Sequence, residues 1–149
     1  MTVPAVRAGR SADGPRLREI QRAALAAPWP EILNLALEDD GPLLSVVETD
    51  RPVGYAVALV TEDPLAYVPE FAVAPDEHGQ GYGSLLLRDL LSTLHDAGVE
   101  RVRLTTRAGD HDARQFYARR GFAVVDRVAD HFDTHDGVVY ERRIGTAEK

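Results

Sequence analysis

The sequence contains no cysteine, and Lys149 is its single lysine. Disulfides, thiolate metal clusters and cysteine nucleophiles all need a thiol, so each is excluded and any acyl transfer must proceed without a protein thiol. Lysine and arginine together number 17 against 24 aspartate and glutamate residues, which gives a net charge of -7. Because proteins bind nucleic acids by neutralising phosphates with basic side chains, we expect no nucleic-acid partner.

Long apolar runs are also missing from the sequence. The longest run, residues 53–60, has the length of a strand and falls well short of the roughly 20 residues that cross a bilayer. The first residues lack the charged segment, hydrophobic segment and cleavage site of a secretory signal. We therefore expect no membrane association and a cytoplasmic location. At this length, a single domain over residues 1–149 is the default expectation.

The periodicity of apolar residues changes several times along the chain. A first strand is predicted at residues 3–7, and helices are predicted at about 14–27, 31–38, from 85 to a stop at Gly98, and 110–120. Further strands are predicted at 43–49, 53–61, 65–74, 99–106, 122–128 and 138–144, the last two forming a hairpin around Asp136-Gly137. This order indicates an α/β (α+β) fold with a mixed sheet and a crossover helix.

A glycine-rich turn separates the strand at residues 65–74 from the following helix. Glycines at positions 79, 81 and 83 let backbone N–H groups point inward, and the helix adds the positive end of its dipole, so the turn is typical of a pyrophosphate site. A dinucleotide fingerprint needs one more residue before the third glycine, and a nucleotide-triphosphate loop needs a lysine between Gly83 and Ser84. We favour pyrophosphate binding over a flexible connection that binds nothing.

Two segments resemble one protein family. Residues 71–86, FAVAPDEHGQGYGSLL, are similar to the acyl-CoA signature of the GNAT superfamily of N-acyltransferases, in which a strand ending near Val-x-Pro precedes Arg/Gln-x-x-Gly-x-Gly/Ala. Residues 110–122, DHDARQFYARRGF, resemble the Asn-x-x-Ala-x-x-Phe-Tyr-x-x-x-Gly-Phe segment of the same family. His78 replaces the usual arginine or glutamine and Asp110 replaces the usual asparagine. A histidine can still donate a hydrogen bond to a phosphate, more strongly once protonated.

The resemblance implies a GNAT-like single domain, with a mostly antiparallel twisted sheet flanked by helices, that transfers acetyl groups from acetyl-CoA to a primary amine. It places the coenzyme against the glycine-rich turn, the preceding strand and the second motif: Phe71, Ala72, Val73, His78, Gly79, Gln80, Gly81, Tyr82, Gly83, Ser84 and Asp110. The expected acceptor is a small-molecule amine or a protein amine, no metal is expected, and a homodimer is expected from the resemblance only. The alternatives are a non-catalytic acyl-CoA-binding regulatory module and, more weakly, aminoacyl-tRNA acetylation through a patch at Arg114, Arg119 and Arg120.

Two side chains are candidates for proton transfer. An alkylamine has a pKa of about 10.4 and must lose a proton before it attacks, and Glu70 is the candidate base or water-positioning group. Its alternative is an outward-facing strand carboxylate, because alternation alone does not fix its side. The resemblance implies that Tyr117 protonates the departing thiolate. The alternative for Tyr117 is a core aromatic with a satisfied hydroxyl.

Two further features are open to a functional interpretation, although we favour a structural one for each. Histidine and acidic side chains gather at the predicted tip of the final hairpin: Asp130, His131, Asp133, His135 and Asp136. Their spacing is poor for a metal site, and a solvated acidic turn is favoured over attraction of a cationic amine. Trp29, between two prolines, is expected to plug the core rather than to line an acceptor site.

Overall fold

The computed structural model describes residues 3–61, 63–132 and 135–145. The elements follow one another as β1 (Ala5–Ala8), α1 (Gly14–Ala24), α2 (Pro30–Ala36), β2 (Leu43–Glu48), β3 (Pro52–Val60), β4 (Leu65–Val73), α3 (Tyr82–Asp96), β5 (Arg101–Arg107), α4 (His111–Arg119), β6 (Ala123–Phe132) and β7 (His135–Arg143). Short 3-10 turns precede α1 and follow β4. The order of helices and strands is the one predicted from the apolar periodicity.

The strands form one seven-stranded sheet in the order β1-β2-β3-β4-β5-β7-β6. Adjacent strands run antiparallel except for β4 and β5, which are parallel. A parallel pair needs a crossover connection, and α3 supplies it. The prediction of a mixed, mostly antiparallel sheet with a crossover helix is therefore confirmed.

Helices cover both faces of the sheet and define two apolar clusters. On β3, Tyr55 and Val57 belong to the cluster with α1 and α2, whereas Ala56 and Ala58 belong to the cluster with α3. Tyr117 of α4 lies in the same cluster as α3. The continuous apolar sequence of β3 follows from this arrangement, because a central strand with helices on both faces buries alternate side chains in opposite directions.

The turn predicted at Asp136-Gly137 is wrong. Both residues lie inside β7, where Gly137 pairs with Arg107 on one side and Val128 on the other. A Cβ atom on Gly137 would approach the Thr105 side chain to 2.9 Å, so glycine is needed here for close packing between strands and not for a turn. The residues between β6 and β7, including Asp133 of the predicted cluster, lie outside the described residues.

A break between β4 and β5 positions the functional site. The parallel ladder ends at the pair Val68 and Leu104, and the next residue, Pro69, has no N–H to donate. The pairing of β3 with β4 shifts register at the same level, between Val57 and Leu59, which marks a bulge. Beyond this point no described strand pairs with the edge of β4 that faces β5, and a cleft opens along the end of β4.

Candidate functional site

The cleft at the end of the β4–β5 ladder has a volume of about 560 Å³. Its walls come from the end of β4, the glycine-rich turn, the first turn of α3, and α4. All but two of the site residues predicted from the sequence line it: Phe71, Ala72, Val73, His78, Gly79, Gly81, Tyr82, Gly83, Ser84, Asp110 and Tyr117. The two that do not line the cleft are Glu70 and Gln80.

The glycine-rich turn presents a row of unused backbone donors. Among the described residues, the N–H groups of residues 79–84 donate to no protein acceptor. Gly79 and Gly81 have φ of 81° and 85°, in the left-handed region that favours glycine. The first turn of α3 contains no acidic residue, so the positive end of its dipole is unopposed. The turn is therefore built to hold an anion such as a pyrophosphate.

His78 and Gln80 contribute to this turn in different ways. The His78 Nε2 atom lies 2.8 Å from the carbonyl oxygen of Val73 and donates to it, which ties the turn to the end of β4. The other ring nitrogen, Nδ1, has no proton in the neutral ring, so it can donate to a phosphate only when the ring is protonated. The Gln80 side chain donates to Glu77 at 3.2 Å and accepts from the Tyr82 hydroxyl at 3.4 Å. Gln80 therefore offers the cleft only its backbone N–H.

Arg120 is a functional candidate that the sequence reasoning placed on the surface. Its guanidinium contacts the Ser84 hydroxyl, donates to the Phe116 carbonyl at 2.9 Å and stacks on the Phe116 ring with 3.8 Å to the centroid. A permanent positive charge thus stands beside the N-terminus of α3. Arg114 points elsewhere, donating to the Tyr140 hydroxyl at 2.9 Å, so the predicted arginine patch is not one continuous face. No sequence signal links Arg120 to Ser84, because the contact is long-range.

Tyr117 lies at the base of the cleft and is 7% exposed. Its ring packs edge-on against Phe71, Phe116 and Phe122, with centroid distances between 5.2 and 6.0 Å. Its hydroxyl forms no hydrogen bond with any described residue. The alternative interpretation of Tyr117, a core aromatic whose hydroxyl is hydrogen-bonded, therefore does not fit. Burial, and secondarily the negative charge of Asp110, raises the pKa of Tyr117 above that of an ordinary phenol. The group therefore holds its proton at neutral pH.

Asp110 acts as the N-cap of α4. Its carboxylate accepts a hydrogen bond from the backbone N–H of Ala113 at 3.1 Å. A negative charge at the positive end of a helix is stabilising. Asp110 therefore caps α4 although the family usually has asparagine at this position. Its carboxylate also lies on the wall of the cleft.

Glu70 lies on the opposite side of β4 from Tyr117. Phe71 contacts Tyr117, so its neighbour Glu70 points to the face covered by α1 and α2, where it is 3% exposed. The carboxylate accepts hydrogen bonds from Gln21 Nε2 at 2.8 Å, Tyr55 Oη at 2.8 Å and Trp29 N at 2.6 Å. The outward-facing alternative is wrong. The structure does not bring Glu70 and Tyr117 together in the cleft, and the base role stays a prediction.

Trp29 and the hairpin residues complete the predicted set. The indole of Trp29 is 47% exposed, so the core-plug prediction is wrong. Trp29 is the N-cap of α2, and its backbone N–H donates the part-buried hydrogen bond to Glu70. Asp130, His131, His135 and Asp136 are exposed. Within the described ranges, no group of three or more histidine or acidic side chains is arranged to hold a metal ion, and no helix is long and apolar enough to span a membrane.

Comparisons with known proteins agree with this geometry. Residues 14–122 match the profile of the Acetyltransferase (GNAT) family. The chain is 31% identical over 117 residues to the [Ribosomal protein bS18]-alanine N-acetyltransferase of Haemophilus influenzae, covering 76% of this chain and 77% of that protein. The fold matches the crystal structure of the ribosomal-protein-S18-alanine N-acetyltransferase of Escherichia coli with a TM-score of 0.86, 23% identity and coverage of 97% and 96% of the two chains.

The fold also matches Arabidopsis thaliana NAA60 in complex with acetyl-CoA, with a TM-score of 0.82, 16% identity and coverage of 95% and 99%. Acetyl-CoA is the cosubstrate of this family, and the cradle of free N–H groups fits its pyrophosphate. The chain belongs to the GNAT acetyltransferase family and is an acetyl-CoA-dependent N-acetyltransferase.

Proposed function

We propose that the acceptor is the α-amine at the N-terminus of a protein, with an N-terminal alanine of a ribosomal protein as the first candidate. The observation that carries this proposal is the 31% identity to a ribosomal-protein alanine N-acetyltransferase over about three quarters of both chains. The sequence alone leaves two classes of acceptor, a small-molecule amine and a protein amine, and this identity favours the protein amine.

The chemistry of the site supports an α-amine. An α-amine has a pKa near 7.8 and an alkylamine one near 10.4, so at pH 7 the neutral fraction of the α-amine is roughly 300-fold larger. Glu70 does not line the cleft, and any proton it received would have to travel through water. An acceptor that is already partly neutral needs less help from a base. The net charge of -7 favours a cationic amine at long range.

The reaction is a direct transfer. The amine nitrogen attacks the thioester carbonyl, a C–N bond forms, the C–S bond breaks, and the amine loses a proton to a water molecule, for which Glu70 is the proposed base or positioning group. We propose that the Tyr117 hydroxyl gives its proton to the departing thiolate, and its free position at the base of the cleft supports this role. The unpaired edge of β4 from Phe71 to Val73 offers backbone groups to the pantetheine amides. The glycine-rich turn and Arg120 hold the pyrophosphate.

An acceptor screen by mass spectrometry tests the proposal. Purified enzyme and acetyl-CoA are incubated with a peptide that begins with a free alanine. A matched peptide has a blocked N-terminus and an internal lysine, and a small primary amine is assayed beside both. We expect the mass gain of one acetyl group on the free α-amine only. Acetylation of only the lysine or the small amine would contradict the proposed acceptor.

Two further proposals concern the cellular location and the oligomeric state of the protein. We propose a cytoplasmic location, because a ribosomal-protein substrate is found there, and a homodimer on the family resemblance. Fractionation of cells and light scattering of the purified protein test them separately. A monomer across micromolar concentrations would remove the second expectation without affecting the first.

A further inference from the structure

A second cavity, lined by residues of α3, the end of α4 and β7, adjoins the cleft. Its volume is about 240 Å³, and its lining includes Ser84, Arg88, Arg120 and Arg142 together with two leucines of α3. No acidic side chain lines it. Three guanidinium groups around one cavity are unexpected in a chain with a net charge of -7. The cavity is therefore a local positive site on an acidic protein.

The cavity is continuous with the pyrophosphate cradle. Ser84 and Arg120 line both cavities, and the contact between them forms the shared wall. Arg88 follows Ser84 by four residues in α3, so it lies on the same helix face one turn, about 5.4 Å, further from the cradle. A ribose ring with a phosphate on either side can bridge such a distance.

The arginines retain donors for a ligand. Arg88 is exposed, and within the described part of the chain its side chain has no hydrogen-bond or ion-pair partner. Arg142 uses Nη1 to donate to the Arg120 carbonyl at 2.8 Å, and most of its five N–H groups are left. Guanidinium groups bind phosphate oxygens in a bidentate manner, so this set is suited to a phosphate that carries more than one negative charge.

We propose that this cavity binds the 3′-phosphate of coenzyme A, an assignment that rests on acetyl-CoA being the donor. Each phosphate of the pyrophosphate has one ester and one anhydride linkage and carries one negative charge, which the row of backbone N–H groups can hold. The 3′-phosphate is a monoester with a charge of about -1.5 to -2 at pH 7. The most strongly charged group of the coenzyme therefore meets the three arginines, and Arg88 and Arg142 are binding residues that select for it.

Titration calorimetry with coenzyme A and with dephospho-coenzyme A, which lacks only the 3′-phosphate, tests this assignment. We expect the wild type to bind coenzyme A about tenfold more tightly than dephospho-coenzyme A. Arg88→Gln is expected to lose most of that preference while its Kd for dephospho-coenzyme A stays within about twofold of the wild-type value. Arg142→Gln should behave similarly, and its melting temperature is measured because Arg142 also supports the end of α4.

Arg143→Gln is the matched control. Arg143 is exposed and neighbours Arg142 on β7, but its side chain points to the other face of the strand. The substitution removes the same charge as Arg142→Gln. It should keep the wild-type preference. Equal affinity of the wild type for the two coenzymes, or an equal loss of both affinities in Arg88→Gln, would overturn the assignment. Failure of the wild type to bind either coenzyme would instead refute the use of acetyl-CoA.

Discussion

Replacing Glu70 by alanine removes the acceptor of two buried side-chain donors and one part-buried backbone donor. The carboxylate accepts from Gln21 Nε2, Tyr55 Oη and Trp29 N at 2.6 to 2.8 Å. After the substitution, the Gln21 side-chain oxygen can accept from Tyr55, which leaves two donors unpaired. Each buried donor without a partner costs about 1–3 kcal/mol. We expect the free energy of unfolding to fall by about 4 kcal/mol, and Tm by roughly 10 °C for a chain of this size.

Urea and thermal unfolding followed by circular dichroism measure this loss. Glu70→Gln keeps the size of the side chain and one acceptor oxygen, so it should lose about half as much stability. Glu31→Ala, an exposed glutamate in the first turn of α2, serves as the control and should change stability by less than about 0.5 kcal/mol. A Glu70→Ala variant within about 0.5 kcal/mol of wild type would refute the reasoning.

Turnover of the same variants separates the two roles of Glu70. The measurement is made well below the melting transition of each variant. If Glu70 only holds the α1–α2 junction against β4, Glu70→Gln keeps kcat within a few fold. If Glu70 is the general base, kcat falls by about 100-fold or more. Either value of kcat is compatible with a loss of stability. The unfolding measurement therefore tests the structural role of Glu70, and kcat separately tests its role as a base.

Four further predictions concern other parts of the chain. Tyr117→Phe should lower kcat by about 100-fold or more and leave the Kd for acetyl-CoA nearly unchanged by calorimetry; an unchanged kcat would remove the acid role. Because burial raises the pKa of Tyr117, its hydroxyl should stay protonated at pH 10, and kcat of the wild type should not fall there. A fall in kcat centred at pH 10 would contradict a buried, protonated phenol. Gly81→Ala places a Cβ at φ 85°, which should cost about 1–2 kcal/mol and weaken coenzyme binding, whereas Gly109→Ala, with open space around the new Cβ, should do neither. The Arg7 guanidinium holds the pKa of Asp13 below its usual range, so the stability from this pair is present above about pH 4 and is lost as pH falls through the lowered pKa; a stability gap between wild type and Arg7→Gln that stayed constant down to pH 2 would show that the pair does not contribute.

The sequence predicts the glycine-rich turn because its motif is local. Gly79, Gly81 and Gly83 lie in one turn between a strand and a helix, and local geometry determines where their N–H groups point. Tyr117 follows from the resemblance of residues 110–122 to a family segment, which is also a local stretch of chain. The element order followed from periodicity alone, and the structure confirms it.

The sequence predicted side-chain partners less well, because those partners are distant in the chain. The side of β4 on which Glu70 lies depends on the bulge at Pro69, which alternation does not reveal. Arg120 meets Ser84 across 36 residues. The sequence Asp136-Gly137 is typical of a hairpin turn, but glycine is required at 137 because of close packing against Thr105. In each case, tertiary contacts override the local signal.

Pro69 has a consequence for the enzymatic cycle. Where it ends the ladder, β4 and β5 lack the hydrogen bonds that would continue their pairing, and a pantetheine bound as we propose would supply replacements along the same edge of β4. In that binding mode the coenzyme takes the place of a missing length of strand, and its departure after each turnover would leave this edge unpaired again. Amide hydrogen exchange should accordingly slow along residues 70–73 when coenzyme A binds, while exchange in β2, which is paired on both sides, stays as it was.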